Sequence, residues 1–94
     1  AVIDTLGLVY FKKGQFDRAA EIIGKALEKD PQSALLNYHM GMALYKSGRT
    51  IEAAEKLQEA LQAEESFEGR DEAAKVLEKI NSSIGSIGWI GSIG

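Results

Sequence analysis

The chain contains no cysteine, so neither a disulfide nor a thiolate metal site is open to it. It has one histidine, His39, and a zinc site needs several nitrogen, sulfur or carboxylate ligands gathered together. No metal and no cofactor is therefore expected. No basic block stands out: 11 basic against 14 acidic residues give a net charge of −3, and nucleic acid is not an expected partner. No apolar run approaches the ~20 residues of a membrane-spanning helix, so membrane insertion is not expected either. The opening AVIDTLGLVYFKKG has no basic start and carries Asp4 inside its apolar stretch, which does not fit a secretory signal. No Met begins the chain, and we expect a fragment or processed piece of a longer protein. A cytoplasmic and a periplasmic setting both fit.

Catalytic groups are equally sparse. Ser33, Ser47 and Ser66 fall in expected loops, and His39 has no acid near it in sequence, although Asp4 could share a face with it. The glycines near the end neither follow a strand nor precede a helix, as a phosphate loop requires. An enzyme is not expected.

What is present is a period. The 94 residues, 45 % apolar and 27 % charged, suit a single globular domain. Sliding the chain on itself by 34 residues aligns Gly7 with Gly41, Lys12 with Lys46, and Gly14 with Gly48. It also aligns Ala19-Ala20-Glu21 with Ala53-Ala54-Glu55, and Ala26-Leu27 with Ala60-Leu61. Small residues that recur in phase are what stacked repeats require. Each unit reads as two helices. The first pair covers about 1–13 and 16–29, broken at Gly14 and stopped by Asp30-Pro31. The second covers about 33–46 and 50–64, broken at Ser47-Gly48. Gly7 and Gly41 each cost about 1 kcal/mol in a helix interior relative to Ala, so a neighbouring helix is expected to cross there. A fifth helix, GRDEAAKVLEKI, is expected to be capped by Asp71. Its stripe would be Ala74, Leu77 and Ile80, and its solvated face Glu72, Lys75, Glu78 and Lys79.

These residues resemble the tetratricopeptide repeat, a 34-residue helix–turn–helix unit with the pattern W-x2-L-G-x2-Y, A-x3-F, A, P. The first unit supplies Ile3, Leu6-Gly7, Tyr10, Ala19, Ile23, Ala26 and Pro31. The second supplies Asn37, Met40-Gly41, Leu44, Ala53, Leu57 and Ala60, with Glu65 where Pro is expected. DTLGLVYFKKGQFDRA and YHMGMALYKSG look most like the last repeats of bacterial multi-repeat proteins, some of them lipoproteins tied to exopolysaccharide export and protein sorting. The expected architecture is all-α: an α-solenoid of two repeat units, 1–33 and 34–67, a capping helix, 68–81, and a flexible tail, 82–94.

The resemblance implies a right-handed stack whose concave groove, lined by the first helix of each pair, holds a protein or peptide partner. By helical spacing, Ile3, Leu6 and Tyr10 of the first helix, with Met40 and Leu44 of the third, are expected to pack on partner helices. The groove is then expected to be lined by Thr5, Leu8, Phe11 and Lys12, and by Leu35, Tyr38, His39, Met42, Tyr45 and Lys46. Such a surface suits a largely apolar peptide or helix. A competing reading makes Leu8, Phe11, Met42 and Tyr45 simple core, and His39 a structural or rim residue. The family's clamp for chaperone tails is not reproduced, because Asp4, Leu8 and His39 stand at three of its Lys/Asn places. Glu21–Lys25 and Glu52–Lys56, spaced i, i+4, read as surface pairs on the solvated convex face.

Val2 and Val9 make the first helix apolar nearly all round, so it needs cover on most sides. Either an upstream repeat or self-association would supply it, and a homo-oligomer held through this helix or the tail is the alternative function. The tail repeats Ser-Ile-Gly, with Trp89 replacing one Ser. Its glycines argue against a helix. We expect a non-native extension whose Ile84, Ile87, Trp89, Ile90 and Ile93 act as apolar anchors, docking in a groove of another molecule.

Overall fold

A computed structural model describes residues 2–63 and 66–84, with side chains described for 6–63 and 66–83. Five helices follow in order: α1 Val2–Lys12, α2 Phe16–Lys29, α3 Ala34–Lys46, α4 Thr50–Gln62 and α5 Arg70–Ile84. No strand occurs among the described residues. Each helix packs against the next in the chain, and α3 also touches α1 and α5. Helices α1, α3 and α5 therefore share one side of the stack.

The turns inside each pair repeat, bond for bond. In the first, Gln15 N–H donates to Tyr10 O at 3.0 Å and Gly14 N–H to Phe11 O at 3.0 Å. In the second, Arg49 N–H donates to Leu44 O at 2.9 Å and Gly48 N–H to Tyr45 O at 3.1 Å. Both are Schellman ends, which need a left-handed residue after the helix. Gly14 and Gly48 provide it, at φ +84° and +90°. Between the pairs, Ser33 caps α3 by accepting the Leu36 N–H at 3.1 Å. Asn37 is buried where the family pattern has Trp, and its amide donates to the carbonyls of Pro31 and Ser33 at 3.2 and 3.0 Å. A polar side chain thus ties the inter-pair turn to α3 at a site the resemblance fills with a large ring.

The core is built on alanines in phase. Ala19, Ala20, Ala53 and Ala54 are buried, and with them the larger Ile23, Leu44, Leu57 and Ile80. Each of those four large side chains contributes about 1.5–3 kcal/mol by leaving water. The helices cross closely at the two phased glycines. A Cβ on Gly7 would stand 2.6 Å from Ile23 Cγ1, and one on Gly41 would stand 2.7 Å from Leu57 Cγ.

Several expectations are corrected. Leu6 is 45 % exposed and does not pack inward, because Gly7 occupies the line of contact with α2 and Leu6 lies one helical step away. Its counterpart Met40 is half-buried, since α2 precedes it: the Met40 methyl would lie 3.7 Å from a Cβ placed on Gly24. On α5 the buried stripe is Ala73, Val76 and Ile80 with Leu77 beside it, while Ala74 is exposed. The Ala73-Ala74 pair leaves the phase open in sequence, and packing against α4 sets it. Asp71 lies inside the first turn, and the backbone of Gly69 opens the helix by accepting the Ala73 N–H at 2.8 Å. Helix α5 runs on to Ile84, past the expected end at 81, because no helix breaker stands before Gly85. The anchors Ile87, Trp89, Ile90 and Ile93 lie outside the described residues. Glu52 pairs with Arg49 at 2.9 Å and Lys56 with Glu59 at 4.0 Å, both at i, i+3, in place of the expected Glu52–Lys56 pair.

Candidate functional site

Two cavities meet on the side shared by α1, α3 and α5. One, of about 400 Å³, is bounded by Leu8, Phe11 and Lys12 of α1, by Tyr38, His39, Met42 and Lys46 of α3, and by Glu72 of α5. The other, of about 760 Å³, is bounded by Leu8, Leu35, Tyr38, His39, the Ser66–Gly69 loop and Glu72. Leu8, Tyr38, His39 and Glu72 border both, so the two form one continuous groove.

Helical periodicity explains the α3 contribution. Leu35, Tyr38, His39, Met42 and Lys46 stand at i, i+3, i+4, i+7 and i+11, a single stripe. Tyr45, seven residues after Tyr38, lies about 80° from the centre of that stripe and about 20° beyond Tyr38, at its margin, at 3.6 residues per turn. It borders neither cavity and packs half-buried against the core, a correction to its expected groove place. Met42 is only 8 % exposed, so it forms the floor and belongs to the core at once. Phe11 does the same from α1, meeting Phe16 edge-on at 5.1 Å. The side chain of Thr5 lies outside the described residues.

Tyr38 is held on several sides. Its ring centroid is 5.4 Å from those of both Phe67 and His39, and its hydroxyl donates to Glu72 Oε1 at 3.1 Å. The ring also lies flush on the backbone of Gly69, where a Cβ would stand 2.5 Å from Cε2. Gly69 carries φ +104° as well, so conformation and space both call for glycine. Burial pushes the Tyr38 hydroxyl up to about 12, reinforced by the hydrogen bond to Glu72 and by the negative charges of Glu72 and Glu68. The phenol is thus a fixed neutral donor that joins α3 to α5.

The loop carrying Phe67, Glu68 and Gly69 is held from its far side. Arg70 donates to the carbonyls of Leu61 at 2.9 Å and Ala63 at 3.4 Å, and its guanidinium lies 5.9 Å from the Phe67 ring. Phe67, Glu68, Gly69 and Glu72 were not expected in the groove. Glu72 was legible in principle, standing 34 residues after Tyr38 on the third turn of the same period. The loop residues carry no periodic signal.

A third cavity, of about 470 Å³, lies at the α1–α2 turn and is bounded by Gly14, Gln15, Phe16, Asp17, Arg18, Glu21 and Ser47. Its rim is mainly polar and exposed, with half-buried Phe16 among its lining. Among the described residues no cluster of three His, Cys, Asp or Glu could hold a metal ion. No helix among them is long and apolar enough to cross a membrane.

Paired antiparallel helices, joined by identical turns and opening a groove on the side of their first members, define an all-α helical-repeat protein. The family model described as Tetratricopeptide repeat matches residues 5–70, well over half of the chain. The chain belongs to the tetratricopeptide repeat family. A comparison with curated proteins found no match. Repeats of this family generally mediate protein–protein interaction and are typically not enzymes.

Proposed function

We propose that the chain is a non-catalytic interaction module that holds a largely apolar peptide or helix in the groove of α1, α3 and α5. The observation that carries this reading is the continuity of the two cavities over an apolar floor, Leu8, Phe11 and Met42, with Tyr38 fixed at their junction. Met42 and Phe11 belong to the core as well as to this floor, and a surface held rigid by the core loses little entropy on binding. We assign residues 1–33 and 34–67 to the two repeat units and the α5 region to a cap. Helix α5 buries Ala73, Val76 and Ile80 and turns Lys75, Glu78 and Lys79 outward, the two-faced build of a terminal cap.

Panning a random displayed-peptide library on the chain tests the reading. Retained peptides should bind at least tenfold more weakly to the Leu8→Ala/His39→Ala variant, and equally well to Glu21→Ala/Lys25→Ala on the convex face. Peptides indifferent to the groove pair would sink the proposal.

One observation favours a second reading, self-association. Leu6 and Val9 leave 45 % and 42 % of their surfaces exposed side by side on α1. A second copy could cover them.

A further inference from the structure

The groove is electrically polar along its length. At one end Lys12 and Lys46, from the last turns of α1 and α3, border the same cavity as the floor residue Met42. Neither lysine makes an ion pair among the described residues. Lysines in a last helical turn complement the helix dipole, but that does not require both to border one cavity. Toward the other end stand Glu68, which borders the larger cavity, and Glu72, where the two cavities meet. Glu72 is aimed by the hydroxyl of Tyr38, bonded to one of its oxygens. Between the lysines and the glutamates the lining includes Leu8, Phe11, Met42, Tyr38 and His39. Among the described residues, no lysine borders the larger cavity, and Glu72 is the only acid bordering the smaller.

We infer that this groove selects peptides carrying an acidic side chain for Lys12 and Lys46, a basic side chain for Glu68 and Glu72, and apolar residues between. The selectivity presupposes that the groove holds a peptide, as proposed above. The spacing follows from α3, which runs along the groove floor. Tyr38, whose hydroxyl holds Glu72, and Lys46, at the basic end, are eight residues apart, or about 12 Å along the axis at ~1.5 Å per residue. An extended ligand rising ~3.3 Å per residue covers that in about four residues. The recognised pattern is therefore an acid and a base at i and i+4 around three apolar residues. Opposite charges at the two ends also disfavour any ligand with like charges at both, since one of its ends always meets its own sign.

Four pools of end-capped peptides test this, with three central positions randomised over Leu, Ile, Met, Phe and Tyr. The flanking pair is Asp/Lys, Lys/Asp, Asp/Asp or Lys/Lys, and affinity is read by fluorescence anisotropy at low salt. At least one mixed-charge pool should bind about threefold to tenfold more tightly than either like-charged pool, as two exposed ion pairs allow. The advantage should shrink at high salt. Its part over the Lys/Lys pool should vanish in Lys12→Gln/Lys46→Gln, where Glu68 and Glu72 still leave Asp/Asp the weakest binder, and in Lys12→Glu/Lys46→Glu the Lys/Lys pool should bind best. Circular dichroism confirms that the variants fold, and the glutamine pair alone decides the outcome if the glutamate pair does not fold. Equal binding of all four pools overturns the charge selectivity and leaves the groove reading standing. Binding by none of them up to millimolar concentration overturns the groove reading and the selectivity with it.

Discussion

Gly7 and Gly41 occupy the same place in the repeat, yet their surroundings differ in what can yield. An added methyl at Gly41 meets Leu57 at 2.7 and 2.8 Å and the Ala53 carbonyl oxygen at 3.3 Å. Backbone of α4 is part of that contact, and α3 is enclosed between α2 and α4. At Gly7 the methyl meets Ile23 side-chain atoms at 2.6 and 3.1 Å, while the nearest backbone oxygen is at an ordinary 3.7 Å. Helix α1 has an open outer face and can move away. Alanine gains about 1 kcal/mol of helix propensity at either site, and overpacking typically costs about 1–3 kcal/mol. Gly41→Ala should therefore destabilise by about 1–2 kcal/mol and Gly7→Ala by clearly less. Urea denaturation midpoints at unchanged slope measure both, and an equal or larger loss at Gly7 would contradict this picture. That a helix crosses at these glycines was readable from their phase. Which crossing is the tighter was not, because it depends on what lies on the far side of each helix.

Among the elements, the contact of α3 with α5 is the one that shapes the groove, and Tyr38 makes much of it. Its hydroxyl is raised from near 10 to about 12 in the folded chain. A raised acid binds its proton more tightly when folded, so its contribution to stability is fully present below pH 10 and is lost as pH climbs through about 12. Subtracting the phenolate absorbance of Tyr38→Phe from that of the parent chain isolates this titration, and its midpoint should lie well above the usual tyrosine value. In Glu72→Gln the midpoint should fall only part of the way back, since burial is the larger cause and the charge of Glu68 remains. A full return would mean that the carboxylate alone sets it. The place of Tyr38 in the groove is legible in the sequence and that of Glu72 far less so, because the period is plain through two units and fades in the fifth helix. The departure of α5 from its expected phase has the same source. Two adjacent alanines, Ala73 and Ala74, fit either phase, and only the face presented by α4 selects one.

For the whole molecule, the two ends of the stack are unlike. At one end α5 turns charged residues outward. At the other, α1 exposes Leu6 and Val9, whose counterparts 34 residues on, Met40 and Ala43, are half-buried and fully buried. The second unit thus shows what covers these positions when a helix of the α2 kind lies alongside. If a second copy provides that cover, sedimentation should show a mass that rises with concentration in the parent chain. Leu6→Glu/Val9→Glu should then remain monomeric with unchanged helicity. A parent chain that is monomeric throughout leaves the groove as its means of association and removes the self-assembly reading.

The sequence by itself determined the repeat length, the helix pairs, the glycine turns and the stripe on α3. All of these depend on local backbone geometry or on side-chain periodicity along one helix. It also carried the family, through small residues whose phase only a stacked repeat requires. The tertiary structure decided which face of α1 lies open, which alanine of α5 is buried, and that Tyr45 leaves the groove while Met42 becomes its floor. It alone brought Phe67, Glu68 and Gly69 against Tyr38. Those outcomes rest on contacts between segments far apart in the chain, where a rotation of one helical step exchanges a buried side chain for an exposed one. No period within a single helix carries that information.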